Sequence, residues 1–201
     1  MHTKRPNGWA IPILMLCVLS LLCGVMAITL SGCGKGQATA YADIEIADYG
    51  TVTVALYGND APITVKNFIS LAESGFYDGL TFHRIKEGFM MQGGDPNHNG
   101  TGSSAETIKG EFASNGVPNS LSHTRGAISM GRRNGDNDSA SCQFFIVHQD
   151  SVFLDGDYAA FGYVTEGMDV VDAVCTSARP VDANGTIPLE EQPVITSITI
   201  R

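Results

Sequence analysis

Several residue groups in this sequence have the types and spacing that could support chemistry. Asp95-x-Asn97-x-Asn99-Gly100-x5-Glu106 satisfies the calcium-loop pattern D-x-[DN]-x-[DN]-G-x5-E in full. Such a loop works between two helices. Here Gly93-Gly94 immediately precedes it, and Gly102 stands where the loop normally pairs through a branched apolar residue, so a turn-rich surface loop is the better reading. His83, His98, His123 and His148 show neither HxH nor HxxxH spacing, and Cys142 and Cys175 form no CxxC. No metal or other cofactor is expected. No serine occupies Gly-x-Ser-x-Gly, and the Gly-rich stretch 88–102 holds neither G-x-G-x-x-G nor a Walker lysine, which argues against a serine hydrolase and a phosphate cradle. Three segments remain: Phe82-His83-Arg84-Ile85-x-x-Gly88-Phe89-Met90-x-Gln92-Gly93-Gly94-Asp95, Ser141-Cys142-Gln143-Phe144-Phe145-Ile146, and Leu154-Asp155-Gly156-Asp157-Tyr158-Ala159-Ala160-Phe161-Gly162. Taken singly, Arg84 reads as a surface arginine on a strand, and Phe89, Met90 and Phe145 read as core.

The elements that must carry these segments are mostly strands. Ala42 to Ala47 (ADIEIA) and Gly50 to Leu56 (GTVTVAL) alternate apolar and polar residues with a period of two, predicting an antiparallel hairpin. Asn59-Asp60-Ala61-Pro62 supplies a helix cap and an early-turn proline, and Val65, Phe68, Ile69 and Leu71 to Ala72 recur at helical spacing until Ser74-Gly75. Further strands are predicted at Thr81 to Ile85, Phe89 to Gln92, Gly126 to Met130, Gln143 to His148, Ala160 to Thr165 and Val194 to Ile200, with a second helix over Met168 to Thr176. Many short strands, Gly-rich loops and only two helices describe an all-β protein, a closed antiparallel barrel plugged by helices.

Composition narrows the partners. The chain has 201 residues, 12 Lys+Arg and 21 Asp+Glu. Setting aside Lys4 and Arg5 leaves a body with 10 basic against 21 acidic groups. A field of that sign repels phosphate backbones and anionic headgroups, so neither nucleic acid nor electrostatic docking to a membrane is expected. The first 32 residues are a separate module: a basic start (MHTKRPNGW), an uncharged apolar stretch over residues 10–30, then Leu30-Ser31-Gly32-Cys33. This is an export segment. The last four residues resemble the bacterial lipobox, in which the cysteine thiol is diacylated. The apolar stretch also approaches the ~20 residues of a bilayer span, so an uncleaved helical anchor is the alternative. Either way the body is expected outside the cytoplasmic membrane and tethered to it, with Cys33 the lipidation site in the first case. Residues 33–40 then form a flexible tether and 41–201 one folded domain. Cys142 and Cys175 could bridge in that compartment or remain separate buried thiols.

The three segments, in their order, closely resemble the cyclophilin family of peptidyl-prolyl cis/trans isomerases. The likeness runs from about Tyr41 to Ile200 and includes Ala61-Pro62-Ile63-Thr64-Val65-Lys66-Asn67-Phe68. With the lipobox, it is similar to the bacterial lipoprotein form. The resemblance implies the closed eight-stranded barrel with helical caps and a monomer acting on proline-containing segments of unfolded or exported proteins. It implies catalytic Arg84 and Gln92, with Phe89, Met90, Phe145 and Leu154 as the proline pocket. Gln143 is implied to help position Arg84 and the substrate main chain, and Gly131 and Arg132 to meet substrate through their backbone. His83, Gly100, Phe153 and Tyr158 complete the implied binding set. Three residues depart from the family pattern: Arg132 where many members carry Asn, Phe153 for a Trp, and Tyr158 for a pocket His. A peptide-binding module using the same groove without turnover is the alternative from another class.

Overall fold

The computed structural model describes residues 36–201, together with His2. The export segment and Cys33 lie outside the described residues. The opening hairpin is as expected: β1 (Ala40–Ile46) and β2 (Gly50–Leu56) pair antiparallel from Ala40↔Leu56 to Ile46↔Gly50. Next come α1 (Pro62–Glu73), β3 (Arg84–Lys86), β4 (Met90–Gly93), β5 (Ala127–Met130) and β6 (Phe144–Val147). The chain continues through β7 (Ala160–Glu166), α2 (Met168–Ser177) and β8 (Ile195–Ile200). All eight strands belong to one antiparallel sheet, ordered β3-β4-β6-β5-β7-β2-β1-β8.

The expected closed barrel is corrected to an open half-barrel. β3 and β8 are the two ends of the strand order, and no ladder joins them. Single contacts span the seam instead: a bridge Thr81↔Val194, Phe82 N donating to Pro193 O at 2.9 Å and Ile195 N to Leu80 O at 2.7 Å. Pro193 has no N–H to donate, so a regular ladder cannot run through it. The strand expected over Thr81 to Ile85 accordingly begins only at Arg84.

Pleating sorts alternate side chains to opposite faces of the sheet. Phe144 and Ile146 of β6, Met91 of β4 and Ile128 of β5 turn inward, joined by Phe68 of α1 and Val171 and Val174 of α2. Phe144 receives Phe68, Tyr77 and Phe82 edge-on, with ring centroids 5.5, 5.5 and 6.0 Å away. Truncating one such buried ring typically costs about 3–5 kcal/mol, a large share of a domain's net stability. Met90, Phe145 and Val147 turn outward into a smaller cluster with Leu121 and Tyr163. That outer layer underlies the site.

The cap of α1 differs from expectation. Its N-cap is Ala61, which offers no side-chain acceptor. Glu111 supplies the acceptors from a distant loop: Oε1 accepts from Ile63 N at 3.0 Å, and Oε2 from Thr64 N at 2.8 Å and Thr64 Oγ1 at 2.7 Å. A carboxylate there satisfies orphan N–H groups and sits at the favourable end of the helix dipole. Cys142 and Cys175 are both buried free thiols. Burial, with Asp172 and Glu87 nearby, pushes Cys175 up to about 12, leaving it unreactive near neutral pH.

Candidate active site

Register builds the site. Arg84 pairs with Gln92, Gln92 with Phe145 and Phe145 with Ser129, forming one row across β3, β4, β6 and β5. Met90, two residues before Gln92, shares that face. The row opens into a cavity of about 520 Å³. Of the residues singled out from sequence, His83, Arg84, Phe89, Met90, Gln92 and Gly100 line one part of it. Gly131, Arg132, Phe145, Leu154 and Tyr158 line the rest. Gln143 lies in an adjoining cavity of about 350 Å³ that shares Gln92, Gly100, Gly131 and Arg132. Phe153 is not in the cavity wall. It is 71% exposed and stacks on Phe89 at the rim, centroids 5.7 Å apart.

Arg84 is held without a carboxylate. Its Nε donates to Asn184 O at 2.8 Å and its Nη1 to Gln92 Oε1 at 3.2 Å, and its Cζ lies 5.9 Å from the Phe89 ring centre. Gln92 Nε2 passes the chain on to Gln143 Oε1 at 2.9 Å, and Gln143 Nε2 to Gly102 O at 2.8 Å. Each amide is thereby fixed in one orientation. Burial lowers the Arg84 pKa from its ordinary value while Tyr158 and Asp182 act in the other direction. A guanidinium stays charged in either case.

Asn184 and Thr186, which sequence reasoning missed, also line the cavity, as do Asn99 and Asn134. Asn184 contributes a backbone carbonyl, which no side-chain pattern reveals. The readable signal is the turn Asp182-x-x-Gly185. Asp182 Oδ1 accepts from Gly185 N and Thr186 N, both at 3.0 Å, and Ile85 N donates to Gly185 O at 2.8 Å. The turn is clipped onto the strand that carries Arg84. Gly185 has φ +94°, and a Cβ there would lie 2.7 Å from Ile85 O, so only glycine fits.

Two other polar residues, His123 and Asp95, have structural work, and His83 stands apart from both. His123 stacks under Phe145 at 6.0 Å, its Nδ1 2.7 Å from Asp155 Oδ1 and its Nε2 2.9 Å from Ser129 Oγ. This buried network supports the Phe145 ring and ties down the loop bearing Leu154 and Tyr158. Asp95, from the calcium-like motif, turns into its own loop and accepts from the N–H groups of Asn97, Asn99 and Gly100. His83 is buried with neither ring nitrogen hydrogen-bonded among the described residues. Burial holds its pKa near 4 against Asp95, which pulls it upward, so it is neutral at pH 7.

The cyclophilin-type peptidyl-prolyl cis-trans isomerase/CLD profile matches residues 41–200. The chain belongs to the cyclophilin-type peptidyl-prolyl cis-trans isomerases. A Helicobacter pylori peptidyl-prolyl cis-trans isomerase is 44% identical over 138 residues, covering 68% of this chain and 80% of that protein. Peptidyl-prolyl cis-trans isomerase B of Bacillus subtilis is 44% identical over 124 residues, 62% of this chain and 82% of its own. Among solved structures, a Cryptosporidium parvum cyclophilin-type isomerase, crystallised in the presence of the dipeptide Ala-Pro, superposes with TM-score 0.70 at 26% identity, covering 80% of this chain and 98% of that one. In this cyclophilin two of the departures from the family pattern touch each other. The Arg132 guanidinium lies 4.7 Å over the Tyr158 ring and 5.4 Å from that of Phe112, with Nε donating to Asp157 O at 2.9 Å. Tyr158 in turn meets Phe145 edge-on at 6.0 Å.

Two outcomes follow for this cyclophilin. Unfolded His83 titrates near 6.5 and folded His83 near 4, so the unfolded state binds more protons between those values. Stability must therefore fall as pH drops from about 6.5 toward 4. His83→Gln should flatten that fall by at most roughly 3 kcal/mol in urea titrations across the window; parallel profiles for variant and wild type would refute it. Asp182→Ala should lower kcat about tenfold with little change in KM, by loosening the carbonyl that holds Arg84. Asp182→Asn, which keeps an oxygen acceptor, should recover most of the loss. Equal defects in Ala and Asn would remove Asp182 as a positioning residue.

Proposed function

We propose that this isomerase accelerates X-Pro isomerisation in exported proteins as they fold, working as a monomer tethered outside the cytoplasmic membrane, with Arg84 stabilising the twisted imide. The isomers of an X-Pro bond differ by only about 0.5–1 kcal/mol, whereas the barrier between them is ~20 kcal/mol and arises from amide resonance. Twisting the C–N bond returns a lone pair to the prolyl nitrogen. A donor aimed at that nitrogen binds the twisted state better than either planar isomer, which is what lowers the barrier. Arg84 has the charge and the forked donors for this, and no covalent step or proton transfer is needed. The observation that carries the reading is the juxtaposition in one cavity of this pinned guanidinium with Phe89, Met90, Phe145 and Leu154. Those side chains form the apolar slot for the five-membered ring. Because Arg84 is tied to a carbonyl and an amide rather than to an acid, its charge remains available to the substrate. Gln92 and Gln143 hold the donor's direction.

The location rests on the sequence. A basic start, an uncharged apolar stretch and Leu30-Ser31-Gly32-Cys33 support export with lipid attachment at Cys33.

Arg84→Ala should reduce kcat/KM by about 10²–10³-fold, the loss expected when one preorganised donor is removed. An exchange assay on an X-Pro peptide measures this directly, and a variant as fast as wild type would sink the role given to Arg84. Cys33→Ser should abolish incorporation of labelled fatty acid and leave the signal segment uncleaved. If labelling persists without Cys33, the lipoprotein reading fails.

A further inference from the structure

The two adjoining cavities are an electrostatic exception within an acidic protein. Arg84 and Arg132 line the first, Arg132 and Arg133 the second, and no Asp or Glu side chain lines either. The body that holds them carries 10 basic against 21 acidic groups, so walls with three arginines and no carboxylate of their own are a local concentration of positive charge, offset in part by Asp136 beside Arg133. Clefts with low-dielectric walls focus such fields.

The arginines differ in what they have to offer. Arg84 is committed to Asn184 and Gln92 beside the apolar slot. Arg132 lies flat on Tyr158, with Nε on Asp157 O and Nη1 on Arg133 O at 3.2 Å, and makes no ion pair among the described residues. Its planar stack and two carbonyl bonds fix its direction while leaving its charge uncompensated. Arg133 is 74% exposed at the side chain and among the described residues pairs only with Asp136, at 3.1 Å. An exposed pair of that kind contributes little and exchanges readily. The rest of the second cavity is polar and uncharged: the amides of Gln92 and Gln143 and hydroxyls including those of Ser103 and Thr107. Two forked donors in that wall suit a carboxylate.

Building on the isomerase reading above, we propose that this enzyme selects substrates bearing an acidic side chain within a residue or two of the proline, with Arg132 and Arg133 as its specificity residues. With the proline ring against Phe145, a chain advancing about 3.3 Å per residue along Gly131 and Arg132 brings a neighbouring side chain to the second cavity. The carboxylate meets Arg132 there, with Arg133 exchanging Asp136 for it. Selection acts on binding, so it belongs in KM and weakens with salt.

Exchange NMR on the full-length protein tests this, with peptides carrying Glu, Gln or Lys at each of the two positions on either side of proline. At low ionic strength Glu should exceed Gln by about three- to fivefold in kcat/KM at one or more positions, with Lys below Gln. The difference should lie in KM and shrink toward unity at high salt. Arg132→Glu should reverse the order of Glu and Lys at the same position. The salt series on wild type decides by itself should that variant not fold. Equal turnover of Glu, Gln and Lys peptides overturns the selectivity and leaves the isomerase reading standing. Absence of turnover on every peptide overturns the isomerase reading itself.

Discussion

The arrangement of the site depends on a geometric constraint: neighbouring residues of a strand point to opposite faces. In β6 this sends Phe144 into the main core, against Phe68, Tyr77 and Phe82, and Phe145 onto the outer face, into the cavity. The two cannot be moved independently. A slip of one residue in the β4–β6 register would bury Gln92 and expose Met91, exchanging every inner and outer side chain together. The dense aromatic packing around Phe144 therefore also fixes where the candidate site lies.

The electrostatics follow a second restriction. In the proposed mechanism the cation acts on a transient lone pair, and it would lose effect if an acid already neutralised it. Arg84 is oriented instead by dipoles: one carbonyl, one amide, and beyond that amide a second amide and a second carbonyl. Neutral groups in a partly buried setting direct a charge without cancelling it. Arg132 follows the same rule by other means, resting on aromatic faces and backbone carbonyls.

Much of this was legible in the residues. β2 came out with its predicted bounds because Thr51-Val52-Thr53-Val54 sets a period of two. Arg84, Gln92, Phe89, Met90 and Phe145 were found through the order of their motifs, since singly each has a commoner structural explanation. What escaped was non-local. Glu111 caps a helix some 47 residues away, a partnership that no local capping rule contains. The Asn184 carbonyl is chemistry carried by the backbone. The open seam was missed because strand periodicity counts strands and says nothing of whether the first meets the last. Arg132 and Tyr158, read from sequence as separate departures, form a single stacked unit.

The open seam also bears on self-association. A sheet that fails to close leaves two edges, and a free edge recruits other extended chains into growing aggregates. Here each edge is interrupted from within: Ile85 N of β3 is taken by Gly185 O, Ile195 N at the start of β8 by Leu80 O, and β3 is only three residues long with charges at both ends. Pro193 withholds a donor where β8 would otherwise extend. Edges shortened and interrupted in this way leave an incoming extended chain less continuous backbone on which to start fibre growth.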